Sequence, residues 1–168
     1  MSKLIKLNSV KYPGHEAIVD DEDYESLSSY YWYPLVAPKN NNIYAQATVN
    51  GNRIRMHRFI LILHNYNIEN ILIDHVDQNG INNQKENLRT CTYSENKQNS
   101  RKPNHGKTAK YKGVTYRDDL KKFIATIGIN SKHIYLGCFD IEEDAALVYN
   151  KKAFELFGEF ASLNIIEK

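Results

Sequence analysis

The stretch "LIDHVDQNGINNQKENLRTCTYSENKQN", residues 72–99, decides how the first half of the chain is read. An apolar, strand-like run ends in the adjacent pair Asp74 and His75. A polar loop rich in Asn and Gly follows, then "ENLRTCT" begins a second strand and "YSENKQN" a short helix. Strand, long loop, strand and helix in that order make a ββα unit. Within the loop, Asn79, Asn82 and Asn83 read as turn residues rather than ligands, because Asn tolerates left-handed backbone and bonds its own loop.

Upstream, "GHEAIVDDEDYESLSSYYWYPLV" has an acidic, helix-like centre and then an aromatic strand pattern, with Tyr31, Tyr33 and Leu35 alternating with Trp32 and Pro34. "APKNNN" is a turn. "IYAQATVNGNRIRMHRFILIL" reads as a strand, an Asn-Gly hairpin signal at Asn50 and Gly51, a returning strand and an apolar helix from near His57. Downstream, "NSRKPNHGKTAK" has a proline, a glycine and no apolar periodicity, which suits a linker. Beyond it, "YKGVTYR", "KFIATIGI" and "HIYLGCF" are three alternating runs joined by the polar turns "DDLK" and "NSK", as in an antiparallel meander. A helix is expected from Asp140, with Glu143 completing a capping box, to near Gly158. Ala145, Ala146, Tyr149 and Ala153 form its small-residue stripe against the sheet.

The fold class expected is therefore α+β. A mixed unit over 1–99, with its ββα motif at about 72–99, is joined by a linker at 100–109 to a three-stranded antiparallel sheet packed on one helix over 110–168.

Composition narrows the function classes. The 168 residues include only two cysteines, Cys91 and Cys138, outside any C-x-x-C pair, so no disulfide framework and no structural zinc are expected. No stretch is apolar enough for a signal peptide or a membrane span, which predicts a soluble protein of the cytoplasm, in a bacterial host or a virus-infected cell, without a membrane partner. The net charge is +2, but residues 101–137 carry nine Lys and Arg against two Asp and Glu, and residues 138–168 carry three against seven. A basic block of this kind suits a nucleic-acid footprint, or a solvated linker and sheet face.

The residues from Arg53 to Asn99 resemble the HNH nuclease family, in the branch whose motif is a D-H pair, then N-x-x-N-N and N-L-R, then a helix bearing an Asn. The resemblance implies a phosphodiester hydrolase with a ββα-metal motif. Cleavage needs a water deprotonated in line with the leaving oxygen and a hard cation to meet the developing charge. On this resemblance Asp74 and Asn96 hold one divalent cation, Mg²⁺ or Mn²⁺. His75, whose ordinary pKa is near 6.5, is the general base, and Asn87 bridges the loop so that His75 is aimed. His57 supports the unit from the preceding helix or takes part in metal binding, and Asp77 is a structural neighbour of the site. Arg89 either clamps a phosphate or pairs with a carboxylate.

From about Lys110 to Asn164 the chain resembles the plant Apetala/ethylene-response-factor DNA-binding domain, through "YKGV", "IYLGCF", "EEDAALVY" and "AFELFGEFASLN". The resemblance implies a sheet laid in the major groove of double-stranded DNA. The corresponding face holds Thr115, Arg117, Thr126, His133 and Tyr135, with Lys112, Lys121, Lys122 and Lys132 near strand ends where phosphates are reached. The plant domains use several Arg and Trp there, so base specificity does not carry over. Together the two resemblances imply a homing endonuclease of phage or mobile-element type, acting on double-stranded DNA as a monomer or homodimer. The alternatives are an HNH restriction endonuclease and a catalytically inert DNA-binding regulator.

Overall fold

Trp32 sits wholly buried at the centre of the first of two units into which a computed structural model divides the chain, Met1–Asn96 and Lys97–Lys168. The structure describes residues 1–38, 41–100 and 109–166. The linker expected at 100–109 falls almost wholly outside these residues.

In the first unit, β1 (Ser2–Lys6) and β2 (Glu16–Asp20) pair antiparallel. Ile5, Ala17 and Val19 point inward and Lys6 and Glu16 outward, the period of two that a half-buried ribbon requires. Helix α1 (Asp21–Ser28) follows with Asp21, Glu22 and Asp23 in its first turn, where the macrodipole favours negative charge. At its other end the Trp32 indole N–H donates to the Leu27 carbonyl at 2.7 Å, satisfying a terminal acceptor while the ring packs near Tyr30 and Phe59.

The aromatic run becomes β3 (Tyr33–Val36), which pairs with β4 (Ile43–Val49), and β4 pairs with β5 (Asn52–Arg55). The Asn-Gly turn forms as expected, with positive φ at both Asn50 and Gly51. Helix α2 (Met56–Leu63) buries Met56, His57, Phe59, Ile60 and Leu61. Its Arg58 guanidinium donates to the Ile68 and Ile71 carbonyls at 2.8 and 3.0 Å, holding the return to the next strand. There β6 (Leu72–His75) and β7 (Leu88–Cys91) form a ribbon, followed by α3 (Tyr93–Gln98).

In the second unit the meander is β8 (Val114–Arg117), β9 (Lys122–Ile129) and β10 (Lys132–Phe139), with β9 central and α4 (Glu142–Phe157) packed on one face. Val114, Ala125 and Ile127 face Ala145, Ala146, Tyr149 and Ala153, all buried. Asn164 clasps the Lys112 backbone, accepting its N–H at 2.7 Å and donating to its carbonyl at 3.0 Å. Asn150 holds Asn164 in turn through both its amide atoms. The capping box expected at Asp140 and Glu143 does not form. Ile141 precedes α4 with no side-chain cap; Asp140 pairs with Lys122 at 2.9 Å, and the Glu142 carboxylate accepts from the Tyr111 N–H. A capping box is found instead at α3, where Thr92 Oγ1 accepts from the Glu95 N–H at 3.2 Å and Glu95 Oε2 from the Thr92 N–H at 2.7 Å. No helix among the described residues is long and apolar enough to cross a membrane.

Gly113 has φ +77°, and a Cβ there would run into the Tyr149 ring and the Thr126 carbonyl. Gly113→Ala should therefore destabilise the second unit by about 1–3 kcal/mol from overpacking, with about 1–2 kcal/mol more from the backbone conformation. Chemical denaturation followed by circular dichroism checks this.

Candidate functional site

Asp74 and His75 are neighbours on β6, so the pleat sends their side chains to opposite faces of the ribbon. Asp74 lies directly across from Arg89 and His75 across from Leu88. On the Asp74 face, Arg89 donates to Asp74 Oδ2 through Nη2 at 3.0 Å and Nε at 3.3 Å, with both side chains mostly buried. Of the two readings of Arg89, the carboxylate pair is the one formed. Cys91 shares this face; burial pushes its thiol up to about 11, and its sulfur meets the Asn96 backbone N–H.

On the other face His75 is almost wholly buried. Its Nε2 lies 3.4 Å from Asn83 Oδ1. Its ring stands edge-on to His57, with centroids 5.0 Å apart, and 5.8 Å from Tyr44. Burial lowers the pKa of His75 and, with the nearby His75, Arg55 and Arg58, drives that of His57 well below its ordinary value. Both rings are therefore neutral at pH 7.

Asn87 closes the loop between the strands. Its Oδ1 accepts from the Asp77 N–H at 3.0 Å, and its amide donates to Asp77 Oδ1 at 2.9 Å and the Asn82 carbonyl at 2.8 Å. Asp77 also accepts from the Asn79 N–H and the Asn82 amide. Asn82 and Asn79 are thus the turn residues expected, but Asn83 is not only that: it is wholly buried, and among the described residues its amide nitrogen has no hydrogen-bond partner. Its place under His75 carried no local signal in the sequence. Tyr44 was missed for the same reason, since a distant strand brings it to the ring.

Asn96 stands exposed on α3, and its side chain makes no hydrogen bond among the described residues. Among those residues no three His, Cys, Asp or Glu side chains are grouped to hold a metal ion. The donors that remain, the Asp74 carboxylate and the Asn96 amide, are of the hard oxygen type. They fit a cation that takes few protein ligands and keeps several waters. Such a cation would compete with Arg89 for Asp74.

The residues expected on the second unit's DNA face are placed unevenly. Thr115, Arg117, His133 and Tyr135 are exposed and Thr126 is half-buried. Arg117 pairs bidentately with Asp119 at 2.8 Å, and Lys122 with Asp140. The Lys112 ammonium donates to the Gln98 and Ser100 carbonyls at 2.7 Å each; burial pushes its pKa down to about 8, against which the two carbonyls hold the proton. It holds the chain rather than facing solvent. Lys121 and Lys132 are exposed.

Over 119 residues the chain is 34% identical to a protein of Acanthamoeba polyphaga mimivirus named as an uncharacterized HNH endonuclease. That name matches the resemblance of residues 53–99. The match takes in 68% of this chain and 59% of the relative, so the chain spans about three fifths of that protein's length. No protein-family model matches the chain, and no solved structure does.

His57 bears on stability. Unfolding frees it to bind a proton below its ordinary value of about 6.5, so its contribution is full above that pH and is lost as the pH falls below it. The difference in unfolding free energy between the native chain and His57→Gln should narrow from pH 8 to pH 5, as measured by urea denaturation. A constant difference would show that folding leaves the proton affinity of His57 unshifted.

Proposed function

We propose that this chain is a metal-dependent DNA endonuclease of the HNH type, of the homing kind, with a DNA-binding second unit. What carries the reading is the likeness over 119 residues to a protein named as an HNH endonuclease. The order β6, loop, β7 and α3, with Asp74 and His75 closing β6, supports it.

In this reading His75 takes the proton from the attacking water. Asn83 Oδ1, facing Nε2, favours the tautomer that keeps the proton on Nε2 and the lone pair on Nδ1. Asn87 fixes the loop that carries Asn83, so it aims the base without touching the reacting atoms. The Asp74 carboxylate and the Asn96 amide oxygen would hold a divalent cation, which when bound would supply neutralisation of charge on the phosphate and the leaving oxygen. Arg89 holds the Asp74 carboxylate in place beforehand. The tethered second unit raises the effective concentration of DNA at the site. Its exposed sheet face, with Lys121 in a turn and Lys132 at the start of β10, meets the duplex.

Supercoiled plasmid incubated with Mg²⁺ or Mn²⁺ tests the chemistry. Cleavage should vanish with chelator, and His75→Ala should lower the rate by ~10²–10⁴, the usual share of a general base. Asp74→Ala and Asn96→Ala should raise the metal concentration needed. Nicked circles should precede linear product, because one such site handles one phosphodiester. Undiminished cleavage by His75→Ala after metal repletion would remove the assignment.

The second unit is tested by salt dependence. Lys121→Ala and Lys132→Ala should each flatten the slope of log affinity against log salt by roughly 0.9. Lys112→Ala should leave that slope unchanged and lower stability, since its ammonium is bonded to two carbonyls.

A further inference from the structure

The sheet β3–β4–β5 buries one face only. Pro34, Ala45 and Ala47 point into the core, with Ile54 packed against it. Strand alternation therefore places Tyr33, Tyr44, Gln46, Thr48, Arg53 and Arg55 together on the opposite face. The register aligns Tyr33, Gln46 and Arg55 in one row across three strands and Thr48 beside Arg53 in the next.

The charge of this face is one-sided. From residue 26 to residue 68 the chain has no Asp or Glu, and its cations there are Lys39, Arg53, Arg55 and Arg58. Arg58 is engaged by two carbonyls. Arg53 and Arg55 are exposed, and among the described residues neither has a carboxylate partner. They lie two residues apart on an edge strand, roughly 7 Å by strand geometry. The acids Asp21, Glu22, Asp23 and Glu25 lie instead on α1.

The face is also continuous with the candidate site. The Arg55 guanidinium stands over the Tyr44 ring at 4.9 Å, and that ring is 5.8 Å from His75. Two unneutralised guanidiniums, flanked by the hydrogen-bonding side chains of Gln46 and Thr48, complement a row of phosphates with base edges between them.

We propose that the outer face of β3–β4–β5 is a duplex-DNA surface of the first unit, on which Arg53 and Arg55 contact phosphates and lead the strand toward His75. The identity of the ligand rests on the nuclease reading, whereas the location of the surface does not.

The test uses the full chain in chelator, so that nothing is cut, with a short duplex titrated at several salt concentrations. The Arg53→Gln, Arg55→Gln double variant, checked for fold by circular dichroism, should bind at least about tenfold more weakly. Its salt slope should be shallower by roughly 1.8, two phosphate contacts at 0.9 each. In the native chain, amide resonances of Gln46, Thr48, Arg53 and Arg55 should shift on adding duplex while those of α1 stay still; this readout stands even if the variant fails to fold. An unchanged slope in a folded variant, unmoved amides on the sheet, or tighter binding of single-stranded DNA or RNA through the same residues would overturn the proposal. Cleavage by the native chain with Mg²⁺ is scored separately. Sheet-dependent duplex binding without cleavage overturns the nuclease reading and supports the surface, and cleavage with arginine-independent binding does the reverse.

Discussion

The three hydrogen bonds made by the Asn87 side chain are the constraint on which the candidate site depends. Between β6 and β7 the chain passes through a polar loop with little apolar surface to anchor it, and a free loop of that length has many conformations to lose. Asn87 removes most of that freedom by tying Asp77 and Asn82 to the start of β7. The loop is then fixed from outside. Ile18 on β2 exchanges backbone hydrogen bonds with Ile81 and Asn83, and Gly80 lies so close to the Ile43 carbonyl that no side chain fits there. Only with both constraints in place does Asn83 lie under His75, so the ring's orientation is set by residues from β2, β4 and the loop together.

The two faces of the β6–β7 ribbon hold different chemistry for a simple reason. One face looks toward the core around Trp32, where Leu88 packs and imidazoles lose their charge. The other carries the Asp74–Arg89 pair, whose burial is tolerable because each charge has its partner. Adjacent residues on a strand thus gain unlike environments without any change in the backbone. The second unit handles charge differently. Arg117 and Lys122 have nearby carboxylates and Lys112 has carbonyls, so a count of basic residues overstates what that sheet offers a polyanion.

Much of the fold was legible because it rests on local rules. The period of two in the three C-terminal runs gives β8, β9 and β10, the Asn-Gly turn gives the β4–β5 hairpin, and the alanine stripe gives the face of α4. The misplaced capping box shows the limit of such rules. Asp140 and Glu143 have the right spacing, yet Lys122 and the Tyr111 segment compete for the acids at that helix start, while Thr92 and Glu95 bond each other and close the box. At the site, Asp74, His75 and Asn87 stand out by adjacency and type. Asn83, Tyr44 and the pairing of Arg89 depend on which strands lie side by side, which no window of sequence contains. The arginine face leaves no mark on the net charge of its segment: over residues 1–56 six Lys and Arg balance six Asp and Glu, although the acids all precede residue 26 and Arg53 and Arg55 come after it.

The two cysteines illustrate how position in a sheet governs covalent reactivity. Cys91 is partly shielded on the ribbon face beside Asp74, and a thiol pushed up to about 11 carries almost no thiolate at neutral pH. Cys138 lies exposed on β10, in register with Ile124. Alkylating reagents and oxidants act on the thiolate, so they meet one accessible sulfur and one quiet one. A single reporter dye or spin label can therefore be attached to the second unit's sheet without engineering the sequence.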